Sequence, residues 1–176
     1  MQDAREIDLA ARIRAIPDFP KPGILFRDIM PLLQDAQTLR AAVDRMAEWS
    51  VGRHVDAVLG AESRGFILGS ALAYALNAGF VCARKPGKLP YATVTESYEL
   101  EYGTDALEVH EDAITPGMNI LVHDDLLATG GTAAAKVRLV QKMGGNVVGA
   151  TFLVELVDLH GRDKLPGVDV FTLVTF

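Results

Sequence analysis

Asp124 and Asp125 stand side by side in the stretch "LVHDDLLATGGT", residues 121–132. Adjacent carboxylates repel each other unless hydroxyls, cations or backbone N–H groups satisfy them. The paired hydroxyls of a ribose offer two donors at matching spacing, and a magnesium ion is a natural companion for such hard oxygen atoms. Immediately downstream, Ala128, Thr129, Gly130, Gly131 and Thr132 supply backbone N–H groups without bulky side chains, plus two hydroxyls. This loop leads into a helical pattern at 132–143, whose free N–H groups make its start an anion site. The segment reads as a ribose clamp followed by a phosphate cradle. Helix capping accounts for one aspartate. It does not account for two, followed by two glycines and two hydroxyls. Neither G-x-x-x-x-G-K-[ST] nor a G-x-G-x-x-G following a strand occurs, so the common nucleotide loops do not compete.

Other residues carry chemistry with ordinary alternatives beside it. Arg64 in "ESRG", residues 62–65, can pair with a pyrophosphate or form a surface ion pair. Arg84, Lys85 and Lys88 cluster in an acidic chain, as an anion site or as a solvated charge run. Phe26 can stack on a base or pack in a core. Glu101 lies in a polar stretch, where a glutamate is ordinarily solvated.

These residues need elements to hold them. Residues 55–60, 79–84, 119–125, 146–156 and 168–176 read as strands. Helical patterns at 66–76 and 132–143 fall between them. Such alternation predicts an α/β fold with a mostly parallel sheet covered on both faces. Ligands of such sheets sit at the carboxyl ends of the strands, where both unusual loops fall. Apolar residues Ile7, Ala10, Ile13 and Ile16 predict a helix over 3–16 that stops at Pro17. Leu39, Val43, Met46 and Trp49 predict a helix over 36–50 with those residues facing the core. Residues 85–118 break the rhythm. Alternation in "ALEVHEDAI" predicts an antiparallel hairpin arm, and its polar first part suits a flexible lid.

The run "DDLLATGGT" after an apolar strand resembles the phosphoribosyl-pyrophosphate motif of the type I phosphoribosyltransferases, in the form seen in the members that act on adenine. "RIRAIPDFPKPGILFRDI", "ESRGF", "RKPGKLP", "SYELEYG" and "LVELVDLHGRDKL" are similar to that family in the same order, across nearly the whole chain. The resemblance implies one domain over 1–176, with an N-terminal helix and base-binding hood at 1–34 and a lid at 85–118. It implies transfer of a phosphoribosyl group from phosphoribosyl pyrophosphate to adenine, giving AMP and pyrophosphate in purine salvage. Asp124, Asp125 and 128–132 would hold the ribose 5-phosphate. Glu62, Ser63 and Arg64, through a cis peptide at 62–63, would hold pyrophosphate with Arg84, Lys85, Lys88 and Tyr102. Leu25, Phe26 and Arg27 would hold adenine. Glu101 would be the acid/base at the purine, and Arg64 would act with it in catalysis. Mg2+ would arrive on the substrate near Asp124 and Asp125, without direct protein ligands. A homodimer is implied as well. Transfer to another base, or a non-catalytic regulator that binds phosphoribosyl pyrophosphate, are the alternatives.

Composition bounds these readings. The chain has 176 residues and a formal net charge of -6, which weighs against nucleic acid as a partner. A single cysteine, Cys82, rules out an internal disulfide and reads as a small buried hydrophobe. The charged N-terminus has no signal-peptide pattern and no apolar run nears the length of a membrane span, so a cytoplasmic, membrane-free location is expected. His123 departs from the family's usual apolar residue. On a strand it should point away from Asp124, as a packed core histidine. His54, His110 and His160 read as loop or surface groups.

Overall fold

The computed structural model describes residues 7–100 and 103–176, without the side chains of 99, 100 and 103. Five parallel strands form the central sheet: β3 (Ala57–Ala61), β4 (Gly79–Ala83), β7 (Asn119–Leu127), β8 (Asn146–Glu155) and β9 (Val170–Thr175), in the order β4-β3-β7-β8-β9. The helices are α1 (Met30–Gln34), α2 (Ala36–Ser50), α3 (Arg64–Ala75) and α4 (Gly131–Lys142). Two small antiparallel ribbons flank the sheet. One joins β1 (Arg14–Pro17) to β2 (Leu25–Asp28), and the other joins β5 (Thr93–Leu100) to β6 (Gly103–His110).

The β3 chain leaves to one side through α3 into β4, and β7 lies on its other side, so strand order reverses between β3 and β7. That reversal opens a crevice at the carboxyl ends of the two strands. Side chains of β3 and β7 alternate between two cores, as the pleat requires. Leu59, Ile120, Val122 and Phe152 pack with Leu139 and Val140 of α4 and with Leu107 and Val109 of the hairpin. Val58, Leu121 and Leu153 pack with Met46 of α2 and with Leu68 and Leu72 of α3. Phe152 is fully buried, so Phe152→Ala is expected to cost about 3–5 kcal/mol in urea or guanidinium unfolding.

Residues 36–50 form the predicted helix. Asp35 caps it, accepting the N–H groups of Gln37 and Thr38 at 3.1 and 2.9 Å. The helix predicted at 3–16 is corrected over its described part. Asp8 Oδ1 accepts the Ala11 N–H at 3.2 Å, and Ala10–Arg12 make one 3-10 turn. Arg14–Pro17 then pair with β2, with Ile16 opposite Phe26. A cross-strand partner outside the local window overrode the helical spacing. The strand expected to end at Asp125 runs two residues further. Leu126 and Leu127 stay in β7 because β8 continues beside it to Glu155. Cys82 is half-buried rather than buried, and partial burial raises its thiol pKa. His54 and His160 are exposed, whereas His110 is half-buried with its ring edge-on to Tyr91. No helix of the described residues is long and apolar enough to cross a membrane.

Candidate active site

The crevice holds a cavity of about 330 Å³. It gathers Glu62 from the β3–α3 loop, Arg64 from the start of α3, Lys85 beyond β4, and Asp124, Asp125 and residues 128–132 from β7, the loop after it and the start of α4. Its position follows from strand lengths. The β3–β7 ladder ends at Gly60 opposite His123, so the next two β7 residues have lost that neighbour and turn their carboxylates to the opening. On the other side β7 stays paired with β8, with Asp124 opposite Phe152 and Leu126 opposite Val154.

Successive strand residues face opposite sides, and each aspartate meets a cation from its own helix layer. Asp125 Oδ2 lies 2.7 Å from Arg64 Nε of α3. Asp124 Oδ2 lies 2.7 Å from Lys136 Nζ of α4, and Asp124 Oδ1 accepts the Asp125 N–H at 3.0 Å. Burial pushes Asp125 up to about 7, the Asp124 charge adds to the rise, and Arg64 pulls against it. The site can therefore hold a proton or a pair of hydroxyl donors near neutral pH. His123 points away from the cavity, with Nδ1 3.1 Å from the Thr151 hydroxyl. Burial drives it down to about 4, so it is neutral.

The rim near β4 is a network of ion pairs. Glu62 accepts the Lys85 N–H at 3.0 Å and Arg84 Nε at 2.7 Å, and these partners hold its carboxyl below the usual value. Arg84 also donates to the Lys88 carbonyl at 3.0 Å. Its side chain thus braces the 85–88 turn. Lys85 Nζ reaches Asp105 of β6 at 3.0 Å, and Asp105 accepts from the Tyr98 hydroxyl at 3.3 Å. Lys85 thus links the hairpin to the rim, while the Tyr98–Asp105 contact joins the two strands of the hairpin. The peptide between Glu62 and Ser63 is cis.

The cradle begins at Ala128. Gly130 has φ +78°, a left-handed conformation, and a Cβ there would run into the Gly161 carbonyl. Glycine is therefore required both by the backbone and by the packing. α4 starts at the next residue, and its first residues, Gly131 to Ala133, line the cavity.

The hood residues stand apart from this cavity lining. Leu25, Phe26 and Arg27 lie on β2. Phe26 packs edge-on against Phe19 with centroids 5.1 Å apart, and the Arg64 guanidinium lies 5.3 Å from the Phe26 ring. Arg64 thus touches the hood and the aspartate pair together. Arg27 sits 3.7 Å over the Phe176 ring. Lys88 is exposed, and Ser63 precedes α3 outside the lining. Glu101 and Tyr102 lie outside the described residues. Sequence reasoning passed over Tyr98, Asp105 and Lys136. Only Lys136 left a signal, as a cation on the helix face it shares with Ala133, Leu139 and Val140.

Residues 32–173 match the model of the phosphoribosyl transferase domain. The adenine phosphoribosyltransferase of Acidobacterium capsulatum is 56% identical over 168 residues, covering 96% of this chain and 93% of its own. The crystal structure of the Rhodothermus marinus adenine phosphoribosyltransferase is 54% identical, with TM-score 0.92 over 96% of each chain. That of the Saccharomyces cerevisiae enzyme, complexed with an imino-altritol bisphosphate and adenine, is 40% identical, with TM-score 0.88 over 96% of this chain and 97% of its own. With a family match over most of the chain and near full-length relatives above half identity, the chain belongs to the phosphoribosyltransferase family, among the adenine phosphoribosyltransferases.

Proposed function

We propose that the chain transfers the 5-phosphoribosyl group of phosphoribosyl pyrophosphate to adenine, forming AMP and releasing pyrophosphate, a step of purine salvage. The observation that carries this reading is the single cavity that joins Asp124, Asp125 and the 128–132 cradle to Glu62, Arg64 and Lys85. The 5-phosphate lies on the N–H groups of 128–132 at the start of α4. The ribose hydroxyls donate to Asp124 and Asp125. Pyrophosphate extends toward Ser63, Arg64, Lys85 and Lys88, with Glu62 and Arg84 bracing that rim and Tyr102 closing over it. Arg64 uses Nε on Asp125 and keeps its terminal N–H groups for phosphate oxygens.

Adenine is held at Phe26 and by the backbone of Leu25 and Arg27. One ring nitrogen of adenine attacks the anomeric carbon. The bond from that carbon to pyrophosphate breaks, and its electron pair leaves on pyrophosphate. The ring N–H proton passes to Glu101. Charge builds on the sugar before the new bond is complete, and the two carboxylates stabilise it. Asp124 and Asp125 each have a cationic partner, and the described residues bring no three metal-ligating side chains together. That donor set suits Mg2+ that would be carried on the substrate's own oxygens near Asp124 and Asp125, where it would supply charge neutralisation for the pyrophosphate. The exposed Ile67 and Tyr74, seven residues apart on one face of α3, support a homodimer.

The test is turnover with Mg2+, phosphoribosyl pyrophosphate and one of adenine, hypoxanthine, guanine or orotate. AMP from adenine alone is the expected result. Turnover of another base would keep the ribose-phosphate site and sink the hood assignment. Binding without turnover of any base would point to a regulator.

A further inference from the structure

Lys136 has no exposed surface, and the proposed transfer gives it no task. A buried ammonium is costly unless it is paired and hydrogen-bonded. Its Nζ donates to the His123 carbonyl at 2.6 Å and to Asp124 Oδ2 at 2.7 Å. The other Asp124 oxygen takes the Asp125 N–H, and a Cβ on Gly65 would come within 2.6 Å of it. The Asp124 carboxylate is thus held from α4, from its own strand and from the α3 backbone. A methionine would fill the Lys136 volume equally well, so packing alone does not call for a cation.

We infer that Lys136 is a positioning residue, which holds the Asp124 carboxylate in one orientation at the cavity rim as a fixed acceptor for the ribose of phosphoribosyl pyrophosphate. The inference rests on the reading of this cavity as the phosphoribosyl pyrophosphate site. Lys136 faces the pair from α4 and Arg64 from α3. Glu62, Lys85, Tyr98 and Asp105 line the same cavity. On β8, Glu155 is taken by Arg162 at 2.7 Å, and neutral His123 lies on the far face. Without Lys136, the Asp124 carboxylate loses its fixed partner, and Asp125 loses a cation that pulls its raised pKa down, so Asp125 takes up a proton at higher pH. A carboxylic acid is a poorer acceptor for a ribose hydroxyl.

The decisive experiment compares wild type, Lys136→Met, Asp124→Asn and the double variant. Calorimetry gives the Kd of Mg2+–phosphoribosyl pyrophosphate, and kinetics give KM for adenine at saturating donor. Lys136→Met is expected to raise that Kd by about tenfold or more. The adenine KM should stay within about twofold, and the acid limb of kcat/KM for the donor should move to higher pH. In the Asp124→Asn background, Lys136→Met should add less than about twofold, since the partner it acts through is gone. Unchanged donor affinity in folded Lys136→Met protein would overturn the inference, as would full additivity of the two changes. If Lys136→Met does not fold, Lys136→Gln, which keeps a hydrogen-bond donor without the charge, takes its place, and the same loss of donor affinity is expected. Failure of the wild type to bind phosphoribosyl pyrophosphate would condemn the reading of the cavity itself.

Discussion

Gly130→Ala is expected to lower kcat/KM for phosphoribosyl pyrophosphate by about a hundredfold or more, because it breaks the cradle and not merely a side-chain contact. Gly130 sits at φ +78°, where an L residue costs about 1–2 kcal/mol. Its added Cβ would also run into the Gly161 carbonyl, which is backbone and cannot swing aside. Gly161 is itself wedged between the Ala128 carbonyl and the Leu127 side chain. The 128–131 loop must therefore shift as a unit, taking its N–H groups away from the phosphate. Two lost charge-assisted hydrogen bonds at about 1.5–3 kcal/mol each set the scale. The defect should appear mainly in donor affinity, with a native far-ultraviolet circular dichroism spectrum. Donor affinity within about threefold of wild type would show that the 5-phosphate does not use this loop.

The second large effect concerns Asp125 and pH. Its folded pKa stands near 7, above the usual 3.8, because burial and the neighbouring Asp124 charge disfavour ionisation. Between those values the native state holds more protons than the unfolded state, so stability falls as pH rises through that window. Below about 4 both states are protonated and the penalty vanishes. Asp125→Asn is accordingly expected to raise the thermal midpoint of the ligand-free protein at pH 8 by about 2–6 °C. At pH 4 it should change little. The same change should lower turnover about a hundredfold, since an amide cannot supply the charge that stabilises the cationic sugar. Wild-type donor affinity should weaken as pH falls below about 7, as Asp125 takes up a proton and ceases to be a full acceptor. Equal midpoints for both proteins at pH 8 would show that the aspartate pair carries no such strain.

These two predictions differ in what they owe to the linear chain. The cradle is local. Two glycines, two hydroxyls and a helix start all lie within 128–132, so their chemistry could be read from adjacent residues. The strand–helix alternation around them was equally legible, because both periodicities are set by neighbours in sequence. The errors came where a distant strand decided the outcome. β2 drew residues 14–17 out of a helical pattern, and β8 kept Leu126 and Leu127 extended.

The amino-acid order by itself determined which groups could bind ribose and phosphate, and which family the chain resembles. It could not say which cation meets which carboxylate. Arg64 reaches Asp125 because α3 covers one face of the sheet, and Lys136 reaches Asp124 because α4 covers the other. The pleat sends neighbouring residues to opposite faces, so the nearest positions in sequence acquire the most separate partners. Burial then sets their protonation, and burial is a property of the packed layers that no local stretch of sequence contains.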